Sequence, residues 1–392
     1  MRNFIYNTPT KVYFGEGSET NLVSLIKDGN YHKVLLHYGR ASIKKIGLYD
    51  YVVKELTDNN IPFVELGGVE ANPKLSLVEK GIVLAKQEDV DFILAVGGGS
   101  VIDSAKSIAA GFYTDESPWL FNSGQRTLKK SLPVGVILTI SAAGSEMSNS
   151  CVITNDYLND KRGFSSELNR PAFAICNPKF TYSVNKFQTA CGVVDIMMHT
   201  LERVLSDDKT YNPLTDNLAF GLIKSVLEVG KTAYNEPTNY DARATLMWAS
   251  SLSHNGLTGC GRNYKMPVHQ IEHALSGTYD SIAHGAGLAI LWPAWASMAS
   301  KIYNTPFANL GYLSFGLSKT ISEEDAANTA IQMMKTYFKE IGMPTTLKEV
   351  NVTKESLPAI AKLYTFNGTR TINDFFLLDY DSCLKILEDC YE

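Results

Sequence analysis

The apolar positions change period part-way along the chain. Up to about residue 184, short apolar runs of strand length alternate with stretches of helical period. Lys11-Val12-Tyr13-Phe14-Gly15, Lys33 to Tyr38, Pro62 to Leu66, Asp91 to Val96 and Pro133 to Thr139 read as strands. Between them, Leu48 to Asn59, Lys74 to Glu88 and Val101 to Phe112 carry apolar residues at helical spacing. This alternation predicts βαβ units and a parallel sheet. Beyond residue 184, β-branched runs become rare. Helices are predicted over about 187–205, 213–234, 240–258, 265–277, 285–302, 323–341, 353–363 and 378–391, punctuated by Asn212-Pro213 and Gly342-Met343-Pro344. The expectation is an α/β chain of two domains: a Rossmann-like domain over 1–184 and an all-helical domain over 185–392.

Composition narrows the class. The 392 residues are 45% hydrophobic and 20% charged, ordinary for a globular enzyme. The net charge is −5 and no basic run occurs, which argues against a nucleic-acid surface. No apolar run reaches the roughly 18 residues of a membrane span. The first ten residues have no apolar stretch of signal-peptide length, so a cytoplasmic protein is expected. Six cysteines are scattered without a Cys-x-x-Cys, and read as free thiols.

The helical half holds the sharpest chemistry. Asp195 and His199 are four apart, as are His269 and His273, so each pair shares a helix face. His284 follows just before Gly285. Four of the seven histidines thus fall in two short apolar segments. A lone histidine on such a face is usually a hydrogen-bonded core residue; clustering with an acid favours a site for Zn²⁺ or Fe²⁺.

The first half holds two candidate nucleotide loops. Gly97-Gly98-Gly99-Ser100 joins a strand to a helix, where free amides and the dipole favour a phosphate. It is neither G-x-G-x-x-G nor a Walker loop, and a tight structural turn is the alternative. Thr139 and Ser141, in Thr139-Ile140-Ser141-Ala142-Ala143-Gly144-Ser145-Glu146, follow another strand and could line a cofactor or simply cap a helix. Asp103 is either a cofactor contact or a helix-start charge. The strand ending at Tyr38 is followed by Gly39, Arg40, Ser42 and Lys44. An acid there would hold the ribose 2′-OH of NAD; its absence, with two cations present, favours NADP(H) over NAD(H).

Taken together, Pro9 to Gly15, Gly97 to Asp103, Gly144-Ser145-Glu146, Asp195-Ile196-Met197-Met198-His199 and the run from His269 to His284-Gly285-Ala286-Gly287 resemble the iron-containing, metal-dependent alcohol dehydrogenase family, nearest its NADPH-dependent butanol dehydrogenase branch. The resemblance implies a dehydroquinate synthase-like architecture with the active site between the domains. It implies Asp195, His199, His269 and His284 as metal ligands, His273 beside them near the nicotinamide as a possible proton relay, and glycines 97–99 with Ser100 at the pyrophosphate. It places Asp103 near the nicotinamide ribose and Thr139 near the cofactor. The implied reaction interconverts short aliphatic alcohols and aldehydes, in a homodimer. Four positions depart from the family pattern: the eleven-residue interval from His273 to His284, Ala143 for Thr, Asn177 for Asp, and Asn185 for Pro. Glycerol dehydrogenase-like and dehydroquinate synthase-like enzymes share the architecture and remain alternatives. A metal-dependent phosphohydrolase or a noncatalytic nucleotide binder is disfavoured, because no second carboxylate-rich set is present and every ligand position is filled.

Overall fold

The computed structural model describes residues 1–392, in two compact units: Asn7–Val184, and Met1–Tyr6 with Asn185–Glu392. Residues 1–6 therefore join the helical unit rather than the first. Arg2 pairs with Asp208 at 2.6 Å, and its amide donates to the Gly261 carbonyl at 3.1 Å. The terminal amine donates to the Tyr211 carbonyl.

The first unit contains strands β1 (Lys11–Phe14), β2 (Val34–Tyr38), β3 (Phe63–Leu66), β4 (Phe92–Gly97), β5 (Val134–Leu138), β6 (Ser150–Asn155), β7 (Asp160–Ser165) and β8 (Phe173–Cys176). Its helices are α1 (Leu22–Asp28), α2 (Ser42–Lys45), α3 (Leu48–Asp58), α4 (Leu75–Gln87), α5 (Gly99–Gly111) and α6 (Trp119–Asn122). Six strands form a wholly parallel sheet in the order β1-β8-β5-β4-β2-β3. The chain winds outward from β2 to β3, then returns to place β4 on the other side of β2. The carboxyl ends of β2 and β4 therefore flank the topological switch point, where open α/β sheets bind ligands. β2, β4 and β5 are buried along their whole length, which explains why they read as continuous apolar runs rather than alternating ones.

Three strands escaped the pattern. β6 and β7 form an antiparallel hairpin whose text, Ser-Cys-Val-Ile-Thr-Asn and Asp-Lys-Arg-Gly-Phe-Ser, is too polar to stand out. β8 is only Phe-Ala-Ile-Cys, but it is the inner strand between β1 and β5.

The second unit contains α7 (Lys186–Val204), α8 (Pro213–Asn235), α9 (Tyr240–His254), α10 (Pro267–Thr278), α11 (His284–Ile302), α12 (Thr305–Asn309), α13 (Glu323–Glu340), α14 (Leu357–Tyr364) and α15 (Tyr380–Asp389). It is not purely helical: Ile372–Asn373 (β9) and Leu377–Leu378 (β10) pair antiparallel before α15. Helix α7 is the core of this unit, buried continuously from Thr189 to Val204 and packed against α8, α9 and α11. Asn185 stands where a proline often opens such a helix, and its Oδ1 caps α7 by accepting from the Gln188 amide at 2.8 Å. Asn177 also uses its amide: Nδ2 donates to Glu19 at 2.8 Å, a bond an ionised aspartate could not make. All six cysteines are free thiols, and no helix is long and apolar enough to cross a membrane.

His37, on β2, is fully buried between the Leu66 carbonyl (Nδ1, 2.8 Å) and the Ser104 hydroxyl (Nε2, 2.9 Å). Burial disfavours its cation and pushes its pKa down to about 4, against the smaller opposing pull of the Leu66 carbonyl. A depressed folded-state pKa gives stability that is present above the unfolded value of 6.5 and is lost as pH falls through 4. Denaturant melts at pH 7 and pH 4 are expected to show about 3 kcal/mol less of this pH-linked loss in His37→Gln than in wild type. Equal losses in the two proteins would show that His37 does not titrate in this way.

Candidate metal centre and nucleotide loops

Three helices of the second unit converge on one carboxylate. Asp195 and His199 lie one turn apart on α7. Helix α10 opens with Pro267 at its first position and carries His269 in its first turn; α11 begins at His284 itself. From Asp195 Oδ1, His199 Nδ1 lies at 3.3 Å, His269 Nε2 at 3.6 Å and His284 Nε2 at 3.7 Å. These separations are long for hydrogen bonds. They suit donors sharing one ion, because four ligands at about 2.0–2.2 Å in a tetrahedron stand roughly 3.3–3.6 Å apart. Asp195 Oδ1, His199 Nδ1 and His269 Nε2 are buried and have no hydrogen-bond partner. Orphaned buried polar atoms are costly, and a divalent cation would satisfy all three at once.

Two buried glutamates brace the ring. Glu202, on α7, accepts from His269 Nδ1 and from the amides of Val268 (2.7 Å) and His269 (3.3 Å). It therefore fixes the imidazole and also fills the open amino end of α10. Glu272, on α10, pairs with His284 Nδ1. Both are essentially inaccessible, so three buried carboxylates surround three imidazoles. Such a cluster favours positive charge. Burial alone would lower the His269 pKa, but Glu202 and Asp195 outweigh it and raise it to about 9. His199 goes the other way: burial first, then the charges of His254, His269 and Arg203, push it well below its ordinary value. It is a neutral imidazole, the form that binds metal.

The glycines of His284-Gly285-Ala286-Gly287 are packing requirements. A Cβ on Gly285 would lie 2.4 Å from the Cys191 carbonyl oxygen, and one on Gly287 would lie 2.8 Å from Glu272 Cγ. Helix α11 thus seats directly on the α7 backbone and leaves room for the glutamate that holds His284. The eleven-residue interval is absorbed by the loop 279–283, and His284 still faces Asp195. His273 lies one turn beyond His269, its ring 5.7 Å from that of His284, with donor atoms of Glu272, His273 and His284 within 4.8 Å of one another.

The loops of the first unit gather beyond the strand ends. Gly98 is the N-cap of α5, so the Gly99 and Ser100 amides have no acceptor within the helix. A Cβ on Gly97 would meet Val101 at 2.5 Å, and one on Gly98 would meet Ile140 at 2.1 Å. The glycines let this turn lie against the loop after β5. Ala143 fits the same packing, since a Cβ on Gly99 would lie 3.0 Å from it. The Thr139 amide donates to the Gly97 carbonyl at 3.0 Å, and the buried Ser141 hydroxyl oxygen lacks a partner. Asp103 is committed within the protein: it accepts from Ser145 Oγ at 2.5 Å and from the Val152 amide at 2.9 Å. Arg40, Ser42 and Lys44 are exposed at the end of β2.

Several residues went unnoticed in the sequence. Lys106 is buried within α5, and its ammonium donates to the carbonyls of Ser145 (2.7 Å), Ser150 (2.9 Å) and Ser148 (3.1 Å), so it organises the second loop. A lysine three residues after Asp103 in an apolar helix was the available signal. Glu272 lay unmarked between two histidines. His254 stacks on His199 with ring centroids 3.9 Å apart, and nothing in its local sequence marked it.

A parallel sheet with a glycine loop at its switch point, and a helical unit carrying an Asp-His₃ cluster, define a nucleotide-linked metalloenzyme. The chain belongs to the iron-containing alcohol dehydrogenases: the family model "Iron-containing alcohol dehydrogenase" matches residues 9–178, and "Fe-containing alcohol dehydrogenase family, C-terminal" matches 189–391. It is 40% identical, over the full length of both chains, to NADH-dependent butanol dehydrogenase A of Clostridium acetobutylicum. It is 32% identical to the NADPH-dependent aldehyde reductase YqhD of Escherichia coli, covering 100% of this chain and 99% of that one. The crystal structure of NADH-dependent butanol dehydrogenase A from Thermotoga maritima superposes with a TM-score of 0.96 at 34% identity, over 100% of this chain and 99% of that one. The protein is a metal-dependent alcohol dehydrogenase or aldehyde reductase with a nicotinamide cofactor.

If Glu202 orients His269, Glu202→Gln is expected to weaken metal binding by about 10- to 100-fold in competition with a chelator. A lowered melting temperature with unchanged metal affinity would instead assign Glu202 only to the end of α10.

Proposed function

We propose that the enzyme reversibly transfers hydride between NADP(H) and short-chain aliphatic aldehydes and alcohols of the butanal/butanol type. Asp195, His199, His269 and His284 would hold one Fe²⁺ or Zn²⁺. The observation that carries this reading is the set of buried, partnerless donors around Asp195 Oδ1. When bound, the ion supplies a Lewis acid for the substrate oxygen, and the nicotinamide supplies or accepts the hydride. The chain's own residues do the rest. Glu202 and Glu272 hold two imidazoles in fixed tautomers, each with Nδ1 turned to a carboxylate and Nε2 turned to the site. The His284 side chain is 27% exposed, against 6% or less for Asp195, His199 and His269, so substrate approaches from the His284 side. His273 neighbours that open side and can pass the hydroxyl proton to solvent. The amides of Gly99 and Ser100, free at the start of α5, and the unpartnered Ser141 hydroxyl would meet the cofactor's phosphates and polar edges.

The NADP(H) preference is supported by the end of β2. Gly39 offers no carboxylate, and packing does not force a glycine there: a Cβ would meet only the Val69 carbonyl at 3.6 Å and Val101 at 3.8 Å. The C. acetobutylicum and T. maritima relatives, named for NADH, favour the other nucleotide, and the YqhD relative, named for NADPH, favours this one. The choice between iron and zinc rests on the family name alone, since this donor set suits both.

Chelator-stripped protein should oxidise NADPH with butanal only after Fe²⁺ or Zn²⁺ is restored, and the better metal identifies the ion. Failure across several aldehydes, with metal demonstrably bound, would end the aldehyde-reductase reading. Gly39→Asp is expected to lower the NADPH-to-NADH ratio of kcat/KM by about tenfold or more. An unchanged ratio would remove Gly39 from nucleotide choice. In His273→Ala, turnover should slow while metal content stays at the wild-type level. Loss of metal in that variant would make His273 a ligand.

A further inference from the structure

The end of β2 lacks an acid in sequence, yet the fold brings one there. Beyond the paired register that ends at His37 opposite Leu66, two further backbone bonds join the segments. The Val69 amide donates to the Tyr38 carbonyl at 3.3 Å, and the Gly68 amide donates to the Gly39 carbonyl at 2.9 Å. These two bonds turn the segment after β3 back against Tyr38 and Gly39, and from it Glu70 reaches Arg40 to form an ion pair. The second cation is engaged as well. Lys44 Nζ lies over the rings of Tyr49 (4.5 Å) and Tyr38 (5.5 Å), and both phenols donate to Glu65 at 2.9 Å.

The Arg40–Glu70 pair does little for stability. The side chains are 71% and 45% exposed, and exposed pairs of this kind contribute little. Its position matters more. β2 lies beside β4, with Tyr38 paired to Val96, so Arg40 stands one strand over from the glycine loop proposed for the pyrophosphate. That is where an adenosine ribose falls in a sheet of this winding. A 2′-phosphate brings a dianion that needs a guanidinium and is repelled by a carboxylate. A 2′-hydroxyl needs only an acceptor.

We infer that Glu70, reaching Arg40 from the loop after β3, is a nucleotide-selecting residue that holds the guanidinium back from a 2′-phosphate and offers an acceptor to a 2′-hydroxyl. It thereby opposes the bias set by Gly39 and narrows the preference between NADPH and NADH. The inference rests on the nucleotide reading above for the position of the ribose, and not on which substrate is reduced.

The test is calorimetric binding of ADP-ribose and its 2′-phosphate analogue to wild type, Glu70→Gln, Arg40→Met and the double variant. Neither analogue can undergo hydride transfer. Glu70→Gln should raise the affinity ratio of the phosphorylated to the plain analogue by about tenfold, as one charge-assisted contact is released. With Arg40→Met in the background, the same change should raise it by less than about threefold. An unchanged ratio in Glu70→Gln with a wild-type melting temperature overturns the inference. A full tenfold gain without Arg40 overturns it too, because repulsion alone would then explain the effect. A wild type that binds both analogues but oxidises neither NADPH nor NADH with any aldehyde overturns only the reductase reading. Binding of neither analogue removes the nucleotide site, and both readings with it.

Discussion

The constraint on which the helical unit depends is the burial of three carboxylates among three imidazoles. Asp195, Glu202 and Glu272 are all shut away from water. Isolated, each would carry a large desolvation cost. Together with the histidines they form a closed arrangement: Glu202 turns His269, Glu272 turns His284, and the freed Nε2 atoms meet Asp195. The packing follows from this. Gly285 brings α11 onto α7 without a side chain between them, Gly287 leaves room for Glu272 of α10, and Pro267 starts α10 so that its first amides meet Glu202. One acid thus serves both a helix terminus and an imidazole of the cluster.

The nucleotide unit uses the opposite device. Its sheet is apolar and β4 runs into glycine, so backbone rather than side chains is presented in the turn into α5. Gly97 and Gly98 admit Val101 and Ile140, and the loop after β5 is drawn in by a buried ammonium as well as by this apolar packing. Lys106 bonds the carbonyls of three serines, and Asp103 ties the same loop through Ser145 and Val152. The two side chains neutralise one another's burial: desolvation raises the Asp103 pKa and lowers that of Lys106, and the charge of each partly opposes the shift of the other. In an otherwise apolar helix this pair gives the loop a single shape.

Much of this was legible in the linear chain. Short apolar runs marked five of the six strands of the parallel sheet, and the runs of β2, β4 and β5 are continuous because a strand buried on both faces must be apolar throughout. Spacing of three to four residues fixed the long helices, and the i, i+4 pairs fixed which acid and which histidines share a face. The clustering of His269, His273 and His284 around glycines marked a site before any fold was known.

What the sequence could not carry was every relation made across the fold. β8 is four residues long and owes its place to β1 and β5 on either side; its own text holds too few residues for a period. The β6–β7 hairpin is held by cross-strand backbone pairing between strands of mixed polar and apolar text. Glu272 looks like an ordinary helix charge until α10 and α11 are brought together, and the spacing of Glu202 from His199 leaves a helix charge and a histidine partner both open until α7 meets α10. Glu70, thirty residues from Arg40, becomes its partner only because backbone bonds continue past the ends of β2 and β3. Period and residue type, being local, told which side chains share a face; which faces meet is decided by long-range pairing, and the charges that select ligands are set there.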